Sequence, residues 1–223
     1  MARTRVKICC IHDEEEANAA VEAGADAVGL VGMMPSGPGV IDDLSIARIA
    51  KRVPPPVATF LLTSETSAAG IVDHWGRALT DTIQIVDYVE ESEYAEIRRR
   101  IPWVRLVQAV HVHGQDTVGI AKRRSLHVDA LLLDSGRPDA ETKILGGTGK
   151  THDWNVSREI VRSVRVPVFL AGGITPENVE EAINVVQPYG IDVCTGVRTN
   201  GKLDIGKLER LIAGVRRADN DAP

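Results

Sequence analysis

Cysteine is scarce in this chain: only Cys9, Cys10 and Cys194 occur in 223 residues. An odd number, with two adjacent, does not read as the disulfide framework of a secreted protein. Neither cluster has the CxxC or nearby HxxxH spacing of a metal site, so no metal is expected. Charge of one sign is not concentrated either. The 26 basic and 31 acidic residues give a net charge of −5 without a long run of one sign, which excludes the basic surface that binds nucleic acid. Long apolar runs are absent as well. The N-terminal stretch from Val6 to Ile11 is too short for a signal peptide or a membrane span. These absences lead us to expect a cytoplasmic protein, monomer or homodimer, that engages neither membrane nor nucleic acid.

What is present is a 43% hydrophobic composition and a regular alternation of β-rich runs with amphipathic stretches. The runs are Arg5–Cys10, Ala27–Val31, Val57–Leu62, Thr82–Val86, Arg105–Val110, Ala130–Leu133, Val168–Ala171 and Asp192–Cys194. A helical pattern follows each of them. Eight strand and helix pairs in a chain of this length predict an α/β fold, a single (β/α)8 TIM barrel. The competing doubly wound open sheet uses fewer strands and a Gly-rich first turn, whereas here that turn reads Cys10-Ile11-His12-Asp13. Pro and Gly do not gather into a dividing linker. The barrel is expected over residues 1–215, with a frayed polar tail over 216–223.

Side chains alternate along a strand, so Lys7 and Cys9 share one face of the first strand while Val6, Ile8 and Cys10 share the other. The apolar set suits the layer under the helices, which leaves Lys7 and Cys9 facing the barrel interior. An ammonium beside a thiol favours the thiolate, a base or nucleophile. The alternative is a small buried hydrophobe at position 9 and a lysine tied to a carboxylate in the barrel floor. Cys10 and Cys194 read as packing residues. The sixth strand, Leu131-Leu132-Leu133, ends in Asp134, at the strand end where barrel enzymes place catalytic groups; a turn-capping Asp is the other use. Cys9 and Asp134 would flank the mouth as base and acid.

Three Gly-rich segments lie late in the chain: Gly146 to Thr151, Ala171 to Pro176 and Cys194 to Val197. The first ends in GKT, but a nucleotide P-loop needs Gly where Ile144 stands. The other two follow the seventh and eighth strands, where barrels bind phosphate on backbone N–H groups. Singly each reads as a plain turn; together at these strand ends they favour a phosphate site.

Taken together, VKICC, EAGADAVGLV, LLLDS, GGTGKTHDW, AGGITPENV and IDVCTGV resemble the phosphoribosylanthranilate isomerase family nearly end to end. The resemblance implies an Amadori rearrangement of an aminoaldose phosphate to an aminoketose phosphate in tryptophan biosynthesis, without a cofactor. It implies Cys9 as general base and Asp134 as general acid, with Asp153 and the loop carrying Gly147 lining the pocket. The phosphate falls on the loops carrying Gly172, Gly173, Thr195 and Gly196; Lys7, Gln84 and Arg137 are expected to contact the substrate as well. Three positions depart from the family pattern. Cys10 replaces the usual Gly, which matters if the turn needs a positive φ. Ser36-Gly37-Pro38-Gly39-Val40 lacks the usual carboxylate-binding Arg, and Gln84-Ile85-Val86-Asp87 stands for Q-L-H-G. Rim cations that could replace that Arg are Arg137 and Arg198, with His111 and His113 as further donors; each also reads as solvated surface. Two other functions stay open, an isomerase of a different phosphorylated aminosugar and a non-catalytic barrel that binds a phosphorylated metabolite.

Overall fold

A computed structural model describes residues 3–35, 37–136 and 151–221. Its strands are β1 (Arg5–Ile8), β2 (Ala27–Val31), β3 (Ala58–Thr63), β4 (Thr82–Ile85), β5 (Arg105–His111), β6 (Ala130–Asp134), β7 (Val168–Leu170) and β8 (Gly190–Val193). Each pairs in parallel with the next, and β8 closes on β1. The helices are α1 (Glu14–Ala23), α2 (Asp43–Arg52), α3 (Ala68–Ala78), α4 (Glu91–Arg100), α5 (Asp116–Arg124), α6 (Trp154–Ser163), α7 (Val179–Val186) and α8 (Ile205–Asn220). The expected (β/α)8 barrel is the fold observed. Carboxylates and hydroxyls start many of the helices: Asp13, Asp42, Ser67, Asp153 and Asp204 each accept from a first-turn N–H of the helix that follows.

Strand parity sorts the core into two layers. Val6, Ile8, Val28, Leu30, Leu61, Ile83, Leu131 and Ile191 pack outward under the helices. Ala27, Val31, Phe60, Leu62, Val107, Ala130, Leu132 and Phe169 fill the barrel interior. The interior also carries the polar side chains Lys7, Gln84 and Asp192, all buried.

The strand-start end is fastened by a device that repeats along the chain. Asp26, Asp81 and Asp129 stand just before β2, β4 and β6. Their carboxylates accept the N–H of Val6, Thr59 and Leu106 on the preceding strand. Each such charge-assisted bond contributes about 1.5–3 kcal/mol. Helix α8 runs five residues beyond the Val215 at which the sequence pattern ended the barrel. Asp219 on it accepts from the backbone N–H and hydroxyl of Thr4, so this stretch is docked against the chain start instead of frayed.

The seam between the first and last strands departs from expectation. Cys10 and Cys194, expected only to pack, are joined by a disulfide across 184 residues of sequence, leaving Cys9 as the free thiol. Cys10 has φ 62°, which swings its side chain off the outward face that parity assigned to it and into the barrel mouth. The bond also removes the cysteine argument for a reducing compartment. Closing so long a loop restricts the unfolded chain strongly, and such a link typically adds about 2–4 kcal/mol. We expect reduction of the native protein to lower its melting temperature by several degrees. Cys194→Ser should melt at the reduced value with or without reductant, as calorimetry would show; equal melting of oxidised and reduced wild type would remove the stapling role.

Candidate active site

The strand ends at the C-terminal face surround an open cavity of about 700 Å³. Cys9, Asp134 and Asp192 line its centre, and Gly172, Gly173 and Thr195 one side. A larger hollow of about 1320 Å³ opens at the opposite end, but its charged groups form the pairs Arg3–Asp26 and Arg105–Asp129, with Arg5 donating to the Arg3 carbonyl and lying over the Tyr189 ring. We therefore place the site at the smaller cavity, where ionisable groups and free backbone donors converge.

Lys7 is fully buried below the cavity and does not line it, contrary to the expectation of a substrate contact. Its ammonium donates to Asp192 at 2.8 Å and stands over the Phe60 ring at 5.3 Å. The carboxylate in the barrel floor, an open alternative in the sequence, is thus Asp192. Burial works against the charge on Lys7, but Asp192 and Cys9 outweigh it and its pKa ends above the ordinary value. Gly29 leaves room for this cluster: a Cβ there would lie 2.6 Å from the Cys9 sulfur and 3.0 Å from Nζ of Lys7.

The expected thiolate at Cys9 is not what this environment favours in the free protein. Burial pushes the thiol up to about 11; Lys7 pulls it down, while the nearby Asp192 adds to the rise. Lys7 cannot reverse the effect because its charge is already matched by Asp192. Asp134 is also raised, above the usual carboxylate range, chiefly by burial and against the pull of the Ser135 N–H and His111. A carboxyl that keeps its proton to higher pH can serve as an acid.

The two glycine turns meet beside these groups. Gly172 and Gly173 have φ 78° and 67°, a conformation that glycine adopts without strain. Asn178 fixes the first turn by accepting from Thr175 N–H and donating to the Gly173 carbonyl. Thr195 opens a 3-10 turn, Thr195–Val197, whose leading N–H groups have no partner within so short a helix. Gly196 lies behind the cavity wall, where any Cβ would collide with the Ile174 carbonyl. Gln84 lines the cavity as expected. Asp153 does not: it is exposed and caps α6. Arg137 and Gly147 lie outside the described residues.

Arg198 is neither a rim cation nor a solvated one. It is buried, pairs with Glu16 at 2.8 Å and donates to the carbonyls of Cys10 and Gly201. Burial alone would raise Glu16, but hydrogen bonds from Arg198 and from the Leu203 and His12 N–H groups overcome it and hold the carboxyl at about 2. This pair braces the loops after β1 and β8 from outside the cavity. Among the described residues no group of three or more His, Cys, Asp or Glu is placed to hold a metal. No described helix is long and apolar enough to cross a membrane.

The model of the N-(5'-phosphoribosyl)anthranilate isomerase family matches residues 6–213. The chain belongs to this family. An enzyme of that name from Haloarcula marismortui is 38% identical over 98% of this chain and 99% of its own. One from Methanocella arvoryzae is 36% identical over 96% and 98%. Among solved structures, phosphoribosyl anthranilate isomerase from Thermotoga maritima superposes with TM-score 0.82 at 30% identity, covering 96% of this chain and 99% of that one. Another solved member, with TM-score 0.80 and 28% identity over 96% and 99%, holds reduced 1-(o-carboxyphenylamino)-1-deoxyribulose 5-phosphate.

Of the three departures from the family pattern, the one at Cys10 is structural, since the turn does adopt a positive φ. It is coupled to the loop after β2. Gly39 has φ 83°, and a Cβ there would lie 2.5 Å from Cβ of Cys10, so position 39 has no room for an arginine while Cys10 is present. Sequence reasoning missed Asp192, Gly29 and the Glu16–Arg198 pair. For Asp192 a signal existed in its parity with Cys194 on an otherwise apolar strand.

The raised thiol pKa is open to measurement. We expect alkylation of Cys9 by iodoacetamide, followed by mass spectrometry, to keep accelerating about tenfold per pH unit up to at least pH 9.5, because only the thiolate reacts. A plateau below pH 8 would mean that Lys7 outweighs burial after all.

Proposed function

We propose that the protein isomerises N-(5'-phosphoribosyl)anthranilate by an acid–base Amadori rearrangement, the activity for which its family is named. The observation that carries the reading is the meeting, in one cavity, of a carboxyl whose pKa burial raises, a thiol and two glycine-containing turns. The phosphate sits against Gly172, Gly173 and Thr195, with Gly196 permitting the close approach of the turns.

Asp134 donates its proton to the ring oxygen. The C1–O bond breaks and the nitrogen lone pair moves in to form a protonated C=N. The Cys9 thiol passes its proton to the carboxylate left on Asp134, and the resulting thiolate takes the proton from C2; the C2–H electron pair forms a C=C bond and the C=N pair returns to nitrogen. Net transfer of the enol O–H proton to C1 gives the ketone, with Asp134 and Cys9 both back in their protonated forms. Burial disfavours the thiolate in the free protein, but the cation formed at nitrogen by ring opening favours it when it is needed. The nitrogen serves as the electron sink, so no cofactor enters the scheme. Lys7 and Asp192 act from below as positioning residues, holding Cys9 at the end of β1. Our reading is of a cytoplasmic enzyme, monomer or homodimer, in keeping with a metabolic isomerase whose Thermotoga maritima relative is dimeric. A merely binding barrel would have no use for the acid and base together.

Asp134→Asn should keep the fold and lower kcat by about 10²–10⁴-fold, the usual contribution of a general acid. Cys9→Ser should lose a similar factor while affinity for the reduced product analogue stays within about threefold. A loss under tenfold in either variant would return that residue to a structural role. Growth of a tryptophan auxotroph lacking this isomerase, when supplied with the gene, tests the substrate itself.

A further inference from the structure

The cavity is strongly asymmetric. Its β7 and β8 side offers the backbone donors of Gly172, Gly173 and Thr195, and its centre holds Cys9, Asp134 and Asp192. The remaining wall, built from β2 to β5 and the loop after β2, is formed by Val31, Met34, Pro38, Leu62, Val86 and Ala109, with Gly37 and Gln84. Among the described residues this wall carries no charged group. Among the described residues that form it, the Gln84 amide is the one hydrogen-bonding side chain. Gln84 is 3% exposed, and its Oε1 is sealed from solvent without a hydrogen-bond partner. A buried amide oxygen left unpaired costs free energy unless a ligand meets it.

On the proposed reaction, phosphate and nitrogen lie at opposite ends of a five-carbon chain, with the acid and base between them. The nitrogen substituent must therefore fall on the β2 to β5 wall. We infer that this wall recognises an aromatic nitrogen substituent by shape and through one neutral amide, Gln84, without a cation for the ring carboxylate. The centre adds no attraction for such a carboxylate, because Lys7 is matched by Asp192 beneath it. The cation cannot enter at Gly39 either, where Cys10 occupies the space.

A neutral hydrogen bond discriminates far less than a charge-assisted one. The enzyme should accordingly tolerate an aniline ring where its family's substrate has anthranilate. The test is calorimetric affinity for two reduced product analogues, one carrying the ortho carboxylate and one with a plain phenyl ring, beside turnover of the two corresponding phosphoribosylamines. We expect wild type to favour the carboxylate by no more than about tenfold in both measurements. Gln84→Leu should bring the ratio to about one. Gln84→Glu, which keeps the shape and adds a like charge, should invert it, binding the phenyl analogue tighter than the carboxylate one. A preference of about 100-fold or more, or a ratio that neither variant moves, overturns the inference and points to a cation such as Arg137. Binding of both analogues at the expected ratio without turnover of either amine would instead sink the isomerase reading and leave the uncharged wall standing. Binding of neither would sink both.

Discussion

The ion pair between Lys7 and Asp192 is the constraint around which the rest of the mouth is arranged. It lies where the first strand meets the last, at the register Lys7↔Asp192, and is shielded almost completely from water. Two charges are costly to bury, and losing one partner of such a pair typically costs 3–5 kcal/mol because the other is stranded. The seam is therefore held in one register, which fixes Cys9 directly above the pair. Gly29 is the spatial complement of that arrangement, since no larger residue on β2 would leave room for both the ammonium and the sulfur.

Charge neutrality within the pair has a chemical consequence. A free ammonium beneath Cys9 would give a standing thiolate, reactive toward any electrophile that entered the cavity. A matched one leaves burial in control, and the thiol stays protonated until a positive charge arrives from another source. Asp134 is raised by the same desolvation and so holds its proton to higher pH than an ordinary carboxyl. Burial thus works against the charged form of both groups, and the proposed reaction supplies the charge that offsets it when substrate is present.

Above the pair, the loops are set by local backbone demands that bind them to one another. Cys10 takes a left-handed turn, reaches Cys194 and crowds Gly39; Arg198 grips the Cys10 carbonyl and Glu16 from the outer side. The loops after β1, β2 and β8 consequently form one braced unit. The absence of an arginine after β2 and the presence of Cys10 are two sides of the same packing, and together they leave the β2 to β5 wall uncharged among the described residues.

The sequence by itself determined the barrel, because eight period-2 strands alternating with helical patterns leave few other ways to bury their apolar faces. Parity along the first strand was also enough to turn Lys7 and Cys9 inward, the end of the sixth strand marked Asp134, and the glycines after β7 and β8 marked the two turns. Tertiary structure alone decided what depends on distance across the ring. Asp192 became the partner of Lys7, Cys194 the partner of Cys10 and Glu16 that of Arg198, over separations of more than 180 residues that no local pattern encodes. It also decided the state of Cys9, since the balance of desolvation against a neighbouring charge is set by what surrounds the sulfur in space. Asp153 fell to capping for the related reason that a helix start, met locally, claims an aspartate before a cavity can.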